Sequence, residues 1–286
     1  MSEESIPLGI VPIYIAKPEH ATLLEKMLAS IRNPETTEGD LDILIVDDCS
    51  PMTGAKQIIE QLAKTYKCDV AFKPENTGFA KTVNIGLRKA FKEDRVAILI
   101  NQDLEFIQKD WLANGLADPA GVVGARLIYS NHLIQHGGVF FSILNRHWDH
   151  LYRFAPFNLK EVNVRANVIV TGALQFIKPE TIGKVGLYDE NFKMAYEDVD
   201  YCIRAFDAGV EVAYNPKILA IHHETMIRGD RDNAKAAQWY HESLAYMHHK
   251  YQEVSLTQYC NPIDRKRGKE IREKENEDRE NSTVVS

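Results

Sequence analysis

Tyr196-Glu197-Asp198-Val199-Asp200 sets three carboxylates within four positions, ahead of apolar residues at Val199, Cys202, Ile203 and Phe206. That spacing is the stripe of an amphipathic helix, and Gly209 stands where a C-terminal cap would end it. Glu197 and Asp198 then fall at a helix N-terminus, where unpaired N–H groups and the helix dipole favour negative charge. One of the two could take a proton from a substrate hydroxyl, although acids also fill such positions as plain helix caps. Asn101-Gln102-Asp103 closes an apolar strand with an acid able to bind a hard cation such as Mg²⁺ or Mn²⁺. His222 and His223 follow another strand, and an imidazole could complete that ligand set. Asn76-Thr77-Gly78 opens a helix whose first N–H groups could meet a phosphate. Asp47-Asp48 could read a base or ribose through hydrogen bonds, or start a turn with Ser50 and Pro51.

The elements that must position these groups alternate as strand and helix, the pattern of a largely parallel, helix-covered sheet. Apolar runs from Leu8, Leu41, Asp69 and Arg95 read as strands. Helical stripes separate them: Leu23, Leu24, Met27, Leu28 and Ile31; then Ile58, Ile59, Leu62 and Tyr66; then the stretch from Thr77 to Phe91. In such sheets ligands bind beyond the carboxyl ends of the strands, so Asp47, Asp48, Asn76 and Asn101 to Asp103 should gather along one rim. Further strands are expected from Gly121 and His136, across Ala166 to Pro179, and from Val210 to the paired histidines. Ser142 to Val164 reads as an irregular, aromatic and basic segment that shapes an acceptor site. Asp232 to Tyr251 reads as a helix with Trp239, Tyr240, Leu244, Met247 and Tyr251 on its stripe. Asp264 to Glu280 carries seven basic and seven acidic residues and almost nothing apolar, the composition of an exposed helix or a tail that cannot bury itself.

With 286 residues and 44% hydrophobic content the chain can bury a sizeable core. Its formal net charge of −7 argues against nonspecific binding to nucleic acid or acidic membranes as a default. Cys49, Cys68, Cys202 and Cys260 form no CxxC pair and read as free thiols of a reducing compartment. The N-terminus lacks the positive charge of a signal peptide, and no run approaches the roughly 18 apolar residues of a membrane span, so a cytoplasmic location is expected.

Taken in order, these motifs resemble the family 2 glycosyltransferases of GT-A fold, especially the branch that includes rhamnosyltransferases. The resemblance spans Ile10 to Gly229. It rests on Val11-Pro12-Ile13-Tyr14, Ile45-Val46-Asp47-Asp48-Cys49-Ser50-Pro51, Asn76-Thr77-Gly78-Phe79-Ala80 with Asn84-Ile85-Gly86, and Ile100-Asn101-Gln102-Asp103. It continues through Thr171-Gly172-Ala173, Val185-Gly186-Leu187-Tyr188-Asp189-Glu190, and Glu197-Asp198-Val199-Asp200 with Arg204 and His222.

The resemblance implies a GT-A domain over residues 1–230, with a nucleotide-binding half at about 6–106 and an acceptor half at about 107–230. A C-terminal helix at 231–263 and a charged tail at 264–286 would follow. It implies transfer of a sugar from a UDP- or dTDP-type nucleotide sugar to an acceptor hydroxyl, with inversion, helped by Mn²⁺ or Mg²⁺. Asp198 would be the base with Glu197 beside it, and Asp103 and His222 the metal ligands. Pro12, Tyr14, Asp47, Asp48, Asn76, Gly78, Lys81 and Asn101 would line the donor site. Asn101 replaces the first acid of the family's Asp-x-Asp pair, which should weaken metal affinity. The acceptor is left open among glycan, lipid-linked intermediate, protein and a hydroxylated base in DNA, for which the basic aromatic segment from Arg146 to Arg165 would be suited. A nucleotidyltransferase would need a glycine-rich basic loop after the first strand, where Ile15-Ala16-Lys17-Pro18-Glu19 stands instead. A sugar-nucleotide-binding module without turnover is the non-enzymatic alternative.

Overall fold

The computed structural model describes residues 5–223, 234–252 and 256–260. In chain order the elements are β1 (Leu8–Ile13), α1 (Pro18–Arg32), β2 (Asp42–Asp47), α2 (Ala55–Tyr66), β3 (Asp69–Phe72), α3 (Phe79–Lys92), β4 (Ala97–Ile100) and β5 (Leu104–Phe106). Then come α4 (Trp111–Leu116), β6 (Val122–Ile128), β7 (Ile134–His136), β8 (Val139–Ser142), β9 (His147–His150), β10 (Ala166–Asn167) and β11 (Leu174–Ile177). The last are α5 (Pro179–Val185), α6 (Glu197–Asp207), β12 (Val212–His222) and α7 (Ala234–Lys250). The charged stretch from Asp264 to Glu280 lies outside the described residues.

The main sheet runs β3-β2-β1-β4-β11-β6-β12-β10, with β5 added to β12 and β7 to β6. β1 to β4 are mutually parallel and β12 is parallel to β6, as the apolar runs predict. β11 is inserted antiparallel between β4 and β6. This inversion brings its N-terminal side, Thr171-Gly172-Ala173, to the rim where β1, β2 and β4 end. The Asn101 N–H donates to the Ala173 carbonyl there, at 2.9 Å.

Both faces of the sheet are covered, which explains why the strands are apolar without alternation. Leu8, Ile10, Leu44, Val46 and Leu99 face α3, α5 and α6 through Val83, Leu87, Ile182, Val199 and Ile203. Val11, Ile13, Ile43, Ile45 and Ile100 face α1, α2 and α4 through Leu24, Met27, Ile59 and Trp111. Burying each such aliphatic side chain stabilises the fold by about 1.5–3 kcal/mol. Gly86 lets α3 approach β1 closely, because a Cβ there would sit 2.5 Å from Ile10. The segment expected to be irregular contains a short hairpin, β8 with β9, in which Phe141 pairs with Trp148. Among the described residues no helix is long and apolar enough to cross a membrane, and the four cysteines form no disulfide.

The C-terminal end of α7 is tied to the acidic motif. Lys250 Nζ reaches Asp189 Oδ2 (2.7 Å) and Asp200 Oδ1 (2.6 Å), and the hydroxyls of Tyr246 and Tyr251 donate to Asp189 and Asp200. Asp200, fully buried, also takes the Arg204 Nε–H at 2.8 Å. Burial alone would raise the Asp189 carboxyl, but hydrogen bonds from Lys250, Asn191 and Tyr246 outweigh it and hold the group at about 2. A carboxyl depressed in the folded state stabilises above its unfolded value near 3.8 and loses that contribution as pH falls through about 2. The fold should therefore lose about 2 kcal/mol between those values, and Asp189→Asn should remove that part of the acid sensitivity. Denaturant midpoints of both proteins at pH 5 and pH 2.5 check this.

Candidate active site

The strand ends converge as the parallel topology requires. They open onto a cavity of about 470 Å³ lined on one side by Pro12, Tyr14, Asp48, Asn76, Gly78 and Thr82, and at its centre by Asn101, Gln102, Asp103, Glu197 and His222. The opposite wall comes from Lys193, Met194 and Ala195 before α6, and from Lys235, Trp239 and Tyr240 of α7.

Asp103 and His222 meet because β5 runs antiparallel to β12 with Leu104 opposite His222, and the His223 N–H donates to the Asp103 carbonyl. Both side chains are buried, and Asp103 Oδ1 lies 3.2 Å from His222 Nε2. Gln135 donates its amide Nε2–H to the His222 carbonyl, so its Oε1, 2.7 Å away, accepts the Nδ1–H of the ring. That hydrogen bond leaves the Nε2 lone pair facing the same space as the Asp103 carboxylate. One carboxylate oxygen and one imidazole nitrogen fit a divalent cation that takes its remaining ligands from diphosphate and water. Among the described residues no group of three or more His, Cys, Asp or Glu side chains surrounds a common point, in keeping with asparagine at 101.

Gln102 is oriented by the Tyr14 N–H, which donates to its Oε1 at 2.7 Å and turns Nε2 the other way. Gln102 Nε2 and Asn76 Oδ1 are buried with no hydrogen-bond partner among the described residues. A donor and an acceptor thus stand unsatisfied in residues of one cavity wall, a costly arrangement that a polar ligand or water would relieve.

Three expected donor contacts are placed differently. Asp47 lies outside the cavity lining and starts a turn: the Ser50 N–H and Oγ–H both donate to its carboxylate. Burial raises that carboxyl, with the charge of Asp48 adding to the rise against the Ser50 hydrogen bonds. Lys81 is exposed on α3 and its charge faces Glu190, whose carboxyl is held low first by Asn84 and further by Arg88 and Lys81. The N–H groups opening α3 are already engaged. Those of Thr77 and Gly78 donate to Asp48 at 2.9 Å each, and that of Phe79 donates to the Lys193 carbonyl. Asp48 lines the cavity, but its carboxylate shapes the loop, joined by the Lys73 ammonium. Gly78 has φ +96°, and a Cβ there would lie 2.3 Å from the Lys193 oxygen, so only glycine lets these two loops meet.

Glu197 is buried in the cavity lining, whereas its neighbour Asp198 is half-buried and turned toward β11. Asp198 Oδ2 accepts the Gly172 N–H (2.9 Å) and Oδ1 its own helix's Val199 N–H (2.8 Å). Each carboxylate oxygen keeps a second lone pair. Since Ala173 follows Gly172 and holds Asn101, the acidic pair sits at the same rim as the Asn101–Asp103 turn. Ala195 and Tyr196, just before the pair, both have left-handed φ (67° and 68°), a strained approach of the kind found where a side chain must be aimed. The Tyr196 hydroxyl meets that of Tyr240 at 2.8 Å and His147 Nδ1 at 3.3 Å.

The α7 wall was not foreseen as part of the site. Its one sequence signal is Lys235 four residues before Trp239, which places cation and indole on one helical face. The basic segment from Arg146 to Arg165, expected at an acceptor, does not line the cavity. Arg165 is instead engaged by Asp118 and Glu211, and Arg153 by Tyr129 and Asp149.

A GT-A glycosyltransferase combines this sheet order with an acidic rim, and solved structures of that class share the fold. GalNAc-T7 with UDP, GalNAc and Mn²⁺ superposes with a TM-score of 0.59 at 16% identity, over 78% of this chain and 44% of its own. The mannosyltransferase PcManGT from Pyrobaculum calidifontis, in complex with GDP-Man and Mn²⁺, gives 0.51 at 19% identity over 77% and 57%. S. aureus TarS 1-349 gives 0.50 at 16% over 87% and 73%. The glycosyl transferase family 2 model matches residues 10–161, just over half of the chain, and the chain belongs to that family. Protein y4gI of Sinorhizobium fredii is 28% identical over 85% of this chain and 27% of its own length. The O-antigen biosynthesis protein RfbC of Myxococcus xanthus is 24% identical over 76% and 17%. The chain thus spans about a quarter or less of the curated relatives it matches.

Proposed function

We propose that this chain is an inverting glycosyltransferase that moves a sugar from a UDP- or dTDP-type nucleotide sugar to an acceptor hydroxyl in a single displacement. The observation that carries the reading is the approach of Asp103 Oδ1 to His222 Nε2 in the wall of a cavity that Glu197, Asp48 and Asn76 also line. Asp198 takes the acceptor proton as the hydroxyl oxygen forms its bond to C1 from the face opposite the diphosphate. The C1–O bond to the diphosphate breaks, and its electron pair leaves with the nucleoside diphosphate. Glu197 orients the sugar or acceptor. Asp103 and His222 hold Mn²⁺ or Mg²⁺, which when bound offsets the charge growing on the diphosphate. Pro12, Tyr14, Asp48, Asn76 and Gln102 receive the nucleotide, with Asn76 Oδ1 and Gln102 Nε2 gaining the partners they lack in the empty cavity.

A thermal-shift panel of UDP-, dTDP- and GDP-sugars with Mn²⁺ tests this, since a ligand bound only by the folded protein raises Tm by mass action. One nucleotide sugar should stabilise the protein, by about 2.7 kcal/mol at a hundredfold excess over Kd, and Asp103→Asn should lower that gain. No shift with any of them would contradict the proposal.

A further inference from the structure

Resting on the glycosyltransferase reading, we propose that the α7 wall of the cavity is the acceptor subsite and that its acceptor is an anionic glycan, a sugar ring bearing carboxylate or phosphate. The wall is an indole flanked by ammonium groups. Lys235 Nζ lies 4.5 Å and Lys193 Nζ 6.0 Å from the ring of Trp239, and all three side chains line the cavity opposite Pro12, Asp48 and Asn76. Trp239 is half-exposed, unlike the buried Trp111 and Trp148, so its face is open to a ligand.

An indole presents a flat, polarisable surface to the C–H face of a pyranose, and ammonium groups at its edge select a ring that carries negative charge. Lys193 is partly countered by Glu242 at 3.1 Å, while Lys235 makes no ion pair among the described residues. In a chain of net charge −7, whose cavity already holds Asp48, Asp103 and Glu197, this is the wall that can attract an anion. Tyr240 on the same helix reaches Tyr196, the residue before the acidic pair, so a ring held on Trp239 lies beside the proposed base.

The test is calorimetric titration of the full chain, loaded with UDP and Mn²⁺ or with whichever nucleotide the donor panel selects. The titrants are neutral maltooligosaccharides, the same oligosaccharides phosphorylated at O6, oligogalacturonides and a single-stranded DNA oligonucleotide. One of the two anionic glycans should bind at least tenfold tighter than the neutral one, and which of them does so identifies phosphate or carboxylate. Trp239→Ala should weaken that binding tenfold or more, and Trp239→Phe should recover part of it. Lys193→Gln with Lys235→Gln should abolish the anionic preference while leaving the nucleotide Kd within twofold.

Equal affinity for neutral and anionic glycans overturns the inference, as does DNA binding tighter than either. A loss of nucleotide affinity in the double lysine variant that matches the loss for glycan also overturns it, because the lysines would then serve the donor. Failure of the donor reading is distinct: no nucleotide would bind the wild type at all.

Discussion

Asp198→Asn should reduce sugar transfer by about 10²–10⁴-fold, the usual contribution of a positioned general base, while leaving the nucleotide-induced thermal shift intact. Asparagine is nearly isosteric, and its amide oxygen can still accept the Gly172 N–H that now goes to Asp198 Oδ2, so the local fold has no reason to change. What disappears is the ability to take a proton. Glu197→Gln provides the comparison, since Glu197 faces the cavity more directly. If it orients substrate, its loss should raise KM for donor or acceptor more than it lowers kcat. Steady-state kinetics with the selected donor separate the two. Full activity in Asp198→Asn together with a large kcat loss in Glu197→Gln would move the base by one residue.

The second large effect is on stability. Asp48→Ala should destabilise the fold by about 3–5 kcal/mol, the cost of breaking a buried ion pair from one side. Asp48 is 7% exposed and carries the N–H groups of Thr77 and Gly78 together with the Lys73 ammonium. Removing it strands Lys73, whose side chain is 9% exposed, and leaves two N–H groups without their acceptor. At about 2–4 °C per kcal/mol for a chain of this size, Tm should fall by roughly 10 °C. Lys73→Met in the same chain should recover part of the loss, because the uncompensated charge is then gone. A loss below about 1 kcal/mol in Asp48→Ala would mean that the loop is held by something else.

These two aspartates mark what could and could not be read from the sequence. The Asn101–Asp103 turn, the acidic helix start and the terminal histidine of β12 were legible because strand and helix periods are local, and parallel strands deliver their following turns to one rim. The antiparallel β11 was not, since nothing within Leu174–Ile177 records its direction. Asp47 and Asp48 are adjacent and chemically alike, yet one forms a turn with Ser50 and the other binds the α3 loop. That division depends on Thr77 and Gly78, some thirty residues on. The N–H groups at the start of α3 look available for phosphate until Lys193, more than a hundred residues later, brings its carbonyl to Phe79. Trp239 and Tyr240 carried the spacing of a buried stripe. Their cavity role follows from the clamp of Lys250 and Tyr251 on Asp200, which fixes where the other end of α7 lies.

The most direct test of the whole account is release of free nucleoside diphosphate from the stabilising donor, measured for wild type and Asp103→Asn with Mn²⁺ and with EDTA. The account predicts slow release by the wild type with Mn²⁺, and its near loss both in the variant and without metal. Release unchanged by Asp103→Asn, or no release from any nucleotide sugar, would contradict it.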